Sequence, residues 1–273
     1  MEFFRFNPPS EKPILHIAHA NGFPPLTYRR FFQPLASQTQ GLALVTRPFW
    51  PGADARDLKD WSLLTEDMLQ ALKTLGKKVI GVGHSLGAVI TLNAALEAPE
   101  LFSRVILIDP TMLAPHLLRE AWLLRKLGLE FRPDLVRGAL RRRRHWDSRE
   151  AALEGFKSKG IFKSWPLDVL KDYAQSMTAP DPQGGVSLTY SPEWEAKIYQ
   201  TIPTDVWAKA ARLQVPALVL RGETSNTFTA PSEAAFRKAS PQTVFQVVPG
   251  AGHLAPHEKP EQTAAFVLDF LKG

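Results

Sequence analysis

Residues 83–87 read Gly83-His84-Ser85-Leu86-Gly87, a serine between two glycines at the G-x-S-x-G spacing. A serine hydroxyl attacks a carbonyl only when a base takes its proton. The spacing suits that chemistry. The glycines permit a turn so tight that a side chain beside the serine would clash, and the turn pushes Oγ outward. A helix starting at Leu86 would aim free N–H groups and its positive dipole end at the same point. The base is expected in GAGHLAPHEKP (250–260), where a Gly-containing loop presents His253 and His257 is the fallback. The oxyanion of a tetrahedral intermediate needs two backbone N–H donors. Leu86, next to the serine, is one candidate. The other is expected in HANGFP (19–24), with Asn21 as the donor and Phe23 as its rival. The other histidines His16, His19 and His84 read as structural.

These groups must be held by a scaffold, and the chain supplies one in pieces. FFRF (3–6), ILHIAHA (14–20), LALVT (42–46), VIGVG (79–83) and VILID (105–109) read as strands. Helices are expected at 26–36, 61–75 and 86–97, the second with Leu64, Met68, Leu72 and Leu75 at the 3.6 period. Near-continuous apolar strands are those of a parallel sheet covered on both faces. From about Thr111 to Ala210 the rhythm stops, and the sequence reads as helical or irregular without strand-like runs. It resumes with ALVLR (217–221), a helix from Ser232, TVFQVV (243–248) and a closing helix over 260–271. The expected layout is one α/β core domain, 1–110 with 211–273, and a helical insertion, 111–210. Such an insertion would sit over the strand ends where parallel sheets bind ligands.

GHSLGA, HANGFP and GAGHLAPHEKP together resemble the α/β-hydrolase fold family, over the whole core. The middle is similar to that family's helical cap or lid. The serine elbow resembles the esterase, lipase and peptidase branches, not those whose nucleophile is aspartate. The resemblance also implies an acid that holds the histidine, usually after the strand following the cap. That stretch reads RGETSNTF (221–228) and puts Asn226 at the usual position. Asn can accept the imidazole N–H but cannot supply charge, and an Asp→Asn change in a serine-protease triad costs about 10⁴ in turnover. Three positions stay open. Asp109 in ILIDP is the first choice, because pancreatic-type lipases carry their acid after that same strand. Glu223 lies in the usual loop, three residues early. Asn226 itself would make a Ser-His-Asn arrangement.

The insertion carries five of the seven tryptophans, with Phe131, Phe156 and Phe162 beside them. Taken together they favour an apolar acyl or aryl group, although each one alone suits internal packing. Basic residues crowd between Arg119 and Arg144 and end in the run Arg141-Arg142-Arg143-Arg144. Such runs mark solvated helix faces, with attraction of a substrate carboxylate or phosphate or of an anionic lipid surface as the weaker alternative, and no nucleic-acid-binding module accompanies this one. The chain has 273 residues, 44% hydrophobic and 22% charged, and a net charge of +6. No apolar run reaches the roughly 18–20 residues of a membrane span. Cysteine is absent, which excludes disulfides and thiolate metal sites; the N-terminal segment has no signal-peptide pattern, and a cytoplasmic location is expected. No metal site or cofactor is expected, and no membrane insertion. The expected activity is cofactor-free hydrolysis of small carboxylic esters by Ser85 and His253. A thioesterase, amidase or carbon–carbon hydrolase would use the same groups. Asn226 keeps a second class open, a ligand-binding receptor or interaction protein with weakened catalysis on the same scaffold.

Overall fold

The computed structural model describes residues 2–273. The first part alternates strand and helix: β1 (Phe3–Arg5), β2 (Ile14–Ala18), α1 (Arg29–Phe32), β3 (Gln40–Leu44), α2 (Ser62–Lys73), β4 (Val79–His84), α3 (Leu86–Glu97) and β5 (Phe102–Ile108). The insertion follows with α4 (Pro115–Lys126), α5 (Pro133–Leu140), β6 (His145–Trp146), α6 (Arg149–Lys157), α7 (Leu167–Met177), β7 (Thr178–Pro180), β8 (Val186–Leu188), α8 (Pro192–Gln200) and α9 (Val206–Ala210). The chain closes with β9 (Ala217–Gly222), α10 (Ala230–Ala239), β10 (Val244–Val248), α11 (Ala255–Glu258) and α12 (Pro260–Lys272).

Seven strands form one sheet in the order β1-β3-β2-β4-β5-β9-β10, all parallel except β1, which pairs antiparallel with β3. Side chains on a strand alternate between faces. Here both faces are buried, so β2, β3 and β4 have no exposed position. Ile14, Leu42, Val79, Val105 and Val219 pack on one face beneath α2 and α3. Leu15, Ala43, Ile80, Ile106 and Leu218 pack on the other beneath α1 and α12. The strand order reverses at β2, with β3 on one side and β4 on the other. Open α/β sheets bind ligands at such a switch point, outside the carboxyl ends of the strands.

Two local expectations need correction. The helix expected over 26–36 is three short turns, Pro25–Tyr28, Arg29–Phe32 and Pro34–Ser37. Pro34 cannot donate an intrahelical bond and interrupts it. The insertion also contains a three-stranded antiparallel sheet, β6-β8-β7, where no strand was expected. Its strands are two or three residues long, too short for a period of two to show. Nor does the insertion form one body. Leu118 and Ala121 of α4, Trp194 and Ile198 of α8, and Val206 of α9 extend the core on the α2–α3 face. Trp146, Phe156, Trp165 and Tyr173 form a separate aromatic core, which Leu254 joins from the far end of the chain.

Four histidines lie inside this fold. Burial, helped by neighbouring His19, pushes the His16 imidazole down to about 3. Burial takes His19 to about 4 and His84 to about 3, and holds His257 well below the ordinary range. In the unfolded chain such groups take up protons near pH 6.5. Folded, they stay neutral well below that. Unfolding therefore binds protons in this window, and stability, complete above about pH 6.5, falls as the pH drops towards 4. Each imidazole costs up to about 1.4 kcal/mol per pH unit there. Urea midpoints measured from pH 7.5 to 4.5 should fall steadily below 6.5; a flat profile would show that these groups are not held neutral.

Candidate active site

The elbow at 83–87 is built as its spacing requires. Ser85 sits between β4 and α3 at φ 57°, ψ −115°, a backbone conformation foreign to most side chains. A Cβ on Gly83 would overlap the Gly87 carbonyl and Ala88, and one on Gly87 would overlap the Ala18 carbonyl. The Ser85 N–H donates to the Ile108 carbonyl (3.0 Å), which ties the elbow to β5.

His253 follows β10, and its Nε2 stands 2.8 Å from Ser85 Oγ. Its Nδ1 stands 2.6 Å from Asp109 Oδ1. An ionised carboxylate only accepts, so Nδ1 carries the proton and Nε2 accepts from the serine hydroxyl. Asp109, just past β5, is wholly buried and has φ 41°. A buried carboxylate needs donors. Oδ2 accepts the Gly222 N–H (2.8 Å), and Oδ1 accepts from Ser225 Oγ (2.7 Å) besides His253. Proton transfer from Ser85 to Nε2 would leave an imidazolium facing this charge.

Of the three positions considered for the acid, only Asp109 reaches the imidazole. Glu223 is corrected: it is exposed, and its carboxylate accepts the Gly250 N–H at 2.8 Å. Asn226 is corrected as well. It is exposed, its Oδ1 meets only Thr227 Oγ1 at 3.4 Å, and it faces the cavity described below without touching His253. The loop's contribution is Ser225 instead, through Asp109. His257, the fallback base, is buried against Thr27 Oγ1 (3.0 Å) with Trp165 stacked on it.

The backbone donors are also placed. Phe23 N–H is already donated to the Ala20 carbonyl (3.1 Å), whereas Asn21 N–H and Leu86 N–H have no acceptor among the described residues. Asn21 and Leu86 line the same cavity as Ser85 and His253. The insertion grips Asn21: Tyr190 O–H donates to its Oδ1 (2.7 Å), and its Nδ2 donates to the Glu195 carbonyl (3.2 Å). Glu195 in turn is paired with Arg142 at 2.6 Å, both nearly buried.

Two further residues were invisible in the sequence. Thr111 Oγ1 lies 3.1 Å from Ser85 Oγ, and since the serine proton points to His253, the threonine donates. Tyr28 links the loops from below. Ala20 N–H donates to Tyr28 Oη (2.9 Å), Tyr28 O–H to His84 Nδ1 (2.8 Å), and His84 Nε2–H to the His253 carbonyl (2.9 Å). The carbonyl can only accept, which fixes the direction of the whole chain of bonds.

The cavity holds about 450 Å³ between the sheet's carboxyl edge and the insertion. Leu113, Leu135, Ile161, Ile198 and Ile202 line it, with Trp61 from the sheet domain. The tryptophans of the insertion do not. Trp146, Trp165 and Trp194 are packed inside, Trp122 is half exposed at the surface, and Trp207 packs on Phe236. The run Arg141–Arg144 is not a helix face either. It follows α5 as a turn and irregular chain, with Arg142 largely buried against Glu195 and Arg144 paired to Glu193. Among the described residues no group of acidic and histidine side chains could hold a metal ion, and no helix is long and apolar enough to cross a membrane.

A profile described as the alpha/beta hydrolase family matches residues 14–266. The chain belongs to that family. This hydrolase is 27% identical over 241 residues to 2-(acetamidomethylene)succinate hydrolase of Mesorhizobium japonicum, covering 88% of this chain and 78% of the relative. Among solved structures it resembles an E-2-(acetamidomethylene)succinate hydrolase at TM-score 0.74 and 23% identity, covering 96% and 92% of the two chains. A thioesterase domain from the curacin biosynthetic pathway also has TM-score 0.74, at 17% identity, covering 94% and 91%. At these identities the structures speak for the fold alone.

Replacing Asp109 by Asn should lower turnover of p-nitrophenyl acetate by roughly 10³–10⁴, the scale of losing the charge behind a histidine. Glu223→Gln should change it little, and adding Asn226→Asp to Asp109→Asn should restore little. Full activity in Asp109→Asn, measured by stopped assay, would remove Asp109 from the reaction.

Proposed function

We propose that this hydrolase cleaves small carboxylic esters with an apolar acyl or aryl group through an acyl-enzyme. The observation that carries the reading is the line Ser85 Oγ, His253, Asp109, with contacts of 2.8 and 2.6 Å. Ser85 attacks the carbonyl while His253 takes its proton and Asp109 bears the imidazolium charge. The N–H groups of Leu86 and Asn21 receive the oxyanion. His253 then returns the proton to the leaving group and activates the water that frees the acid. Insertion 111–210 acts as the cap over the acyl group, and its aliphatic lining supports an apolar substrate. No step calls for a cofactor, and the absence of cysteine fits work in the cytoplasm.

Amide hydrolysis is the second reading. The relative from Mesorhizobium japonicum is named for a substrate that carries an acetamido group, and the same groups would serve. A thioester would fit the machinery equally. The reading as a binding protein with weakened catalysis rested on Asn226, and the contact of Asp109 with His253 takes that support away.

A fluorophosphonate probe should label Ser85 stoichiometrically, and Ser85→Ala should abolish both labelling and hydrolysis of short p-nitrophenyl esters. Undiminished hydrolysis by Ser85→Ala would refute the reading. So would folded wild-type protein that the probe leaves untouched.

A further inference from the structure

Three non-glycine residues among those described have a positive φ: Ser85, Asp109 and Arg132. The first two belong to the line of groups just described. Arg132, at φ 59° and ψ 50°, belongs to the insertion, immediately before α5. Residues with a Cβ seldom hold this conformation. Arg132 lines the cavity that contains Ser85 and His253. Its guanidinium lies 5.4 Å from the centre of the Phe131 ring, and Phe131 is itself buried.

What Arg132 lacks is an anion. Of the arginines in the same stretch, Arg137 pairs with Asp134, Arg142 with Glu195 and Arg144 with Glu193, and Arg143 donates to the His145 carbonyl; Arg141 has no partner among the described residues either, but it does not line the cavity. Arg132 has neither an ion pair nor a side-chain hydrogen bond among the described residues. The acid of the cavity lining, Glu258, is turned to its own loop and accepts the N–H groups of Gly252 (2.8 Å) and Leu254 (3.2 Å). A second cation lies behind. Lys159 lines an adjoining chamber of about 370 Å³ that shares Asn21, Leu135 and Tyr199 with the first. It has no acidic partner within ion-pair distance either. Desolvation, and after it the nearby Arg142, lower its pKa, while Glu195 in the same chamber opposes them.

We propose that Arg132 makes the mouth of this cavity a carboxylate-binding subsite, and that the preferred substrate carries a free carboxylate on the group held under the insertion. The inference rests on the hydrolase reading above and changes its substrate in one respect, ending the otherwise apolar acyl group in a charge. A guanidinium presents two parallel N–H donors that fit one carboxylate, a match that neutral substrates cannot use. Lys159 adds positive potential behind it.

The test compares mono-p-nitrophenyl glutarate with p-nitrophenyl valerate, in which a methyl group replaces the carboxylate. Wild-type protein should show kcat/KM at least about ten-fold higher for the glutarate, mainly through KM, the scale of a hydrogen bond to a charged group. Arg132→Gln should collapse that ratio towards one, and Arg132→Lys should keep part of it. Equal rates for both esters in wild type, or a ratio untouched by Arg132→Gln, would overturn the subsite and leave the hydrolase reading standing. If neither ester is cleaved and fluorophosphonate fails to label Ser85, the hydrolase reading falls instead. Calorimetry on Ser85→Ala then decides the subsite alone. The glutarate ester should bind about ten-fold tighter than the valerate, and Arg132→Gln in that background should remove the difference; equal affinities would overturn the proposal.

Discussion

The Asp109 carboxylate is the interaction on which the rest depends. It is fully buried, and a buried charge persists only where donors surround it. Those donors come from three places: the end of β9 through Gly222 N–H, the following loop through Ser225 Oγ, and the loop after β10 through His253. One carboxylate therefore fastens three carboxyl-edge segments of the sheet at a common point. Its own backbone is held at positive φ, with Asp109 N–H on the Leu220 carbonyl at 2.7 Å. The strain at Asp109 and at Ser85 is sustained because β4, β5 and β9 are locked in register on both sides.

Beneath that point runs a second set of bonds. Ala20, Tyr28, His84 and the His253 carbonyl are joined in one direction through buried groups. His84 is the residue before Ser85, so the loop after β2, the elbow and the loop after β10 share one fixed reference. Such a network is stable only while the imidazole stays neutral, and burial keeps it so. From above, the insertion holds Asn21 through Tyr190 and the Glu195 carbonyl. The loop with the free Asn21 N–H is thus positioned by both parts of the chain, and any movement of α8 would be felt there.

The insertion divides its work accordingly. α4, α8 and α9 complete the core on one sheet face, while α6, α7 and the small sheet form their own aromatic core. Its tryptophans are spent on packing or the surface, and it lines the cavity mainly with leucine and isoleucine, besides Tyr199 and with Arg132 at the mouth. Shape and apolarity there come mostly from aliphatic groups, and charge from an arginine that no acid among the described residues neutralises.

The sequence alone determined whatever a few neighbouring residues constrain. Gly83 and Gly87 announce the elbow, because a tight turn excludes side chains at those two positions. Continuous apolar runs announce the parallel strands, because both faces of the sheet are buried. Helix α3 was legible over its full length, 86–97, for the same local reasons. Only the tertiary structure decided between Asp109, Glu223 and Asn226. Asp109 and His253 are 144 residues apart in the chain, and their contact depends on β5 and β9 being neighbours in register. It also decided that Arg142 is largely buried, that Trp146, Trp165 and Trp194 pack inward, and that Thr111 and Tyr28 join the site. Residue type and local spacing carry no record of which loop lies within three ångströms of another; that follows from strand order and backbone path, which exist only once the chain has folded.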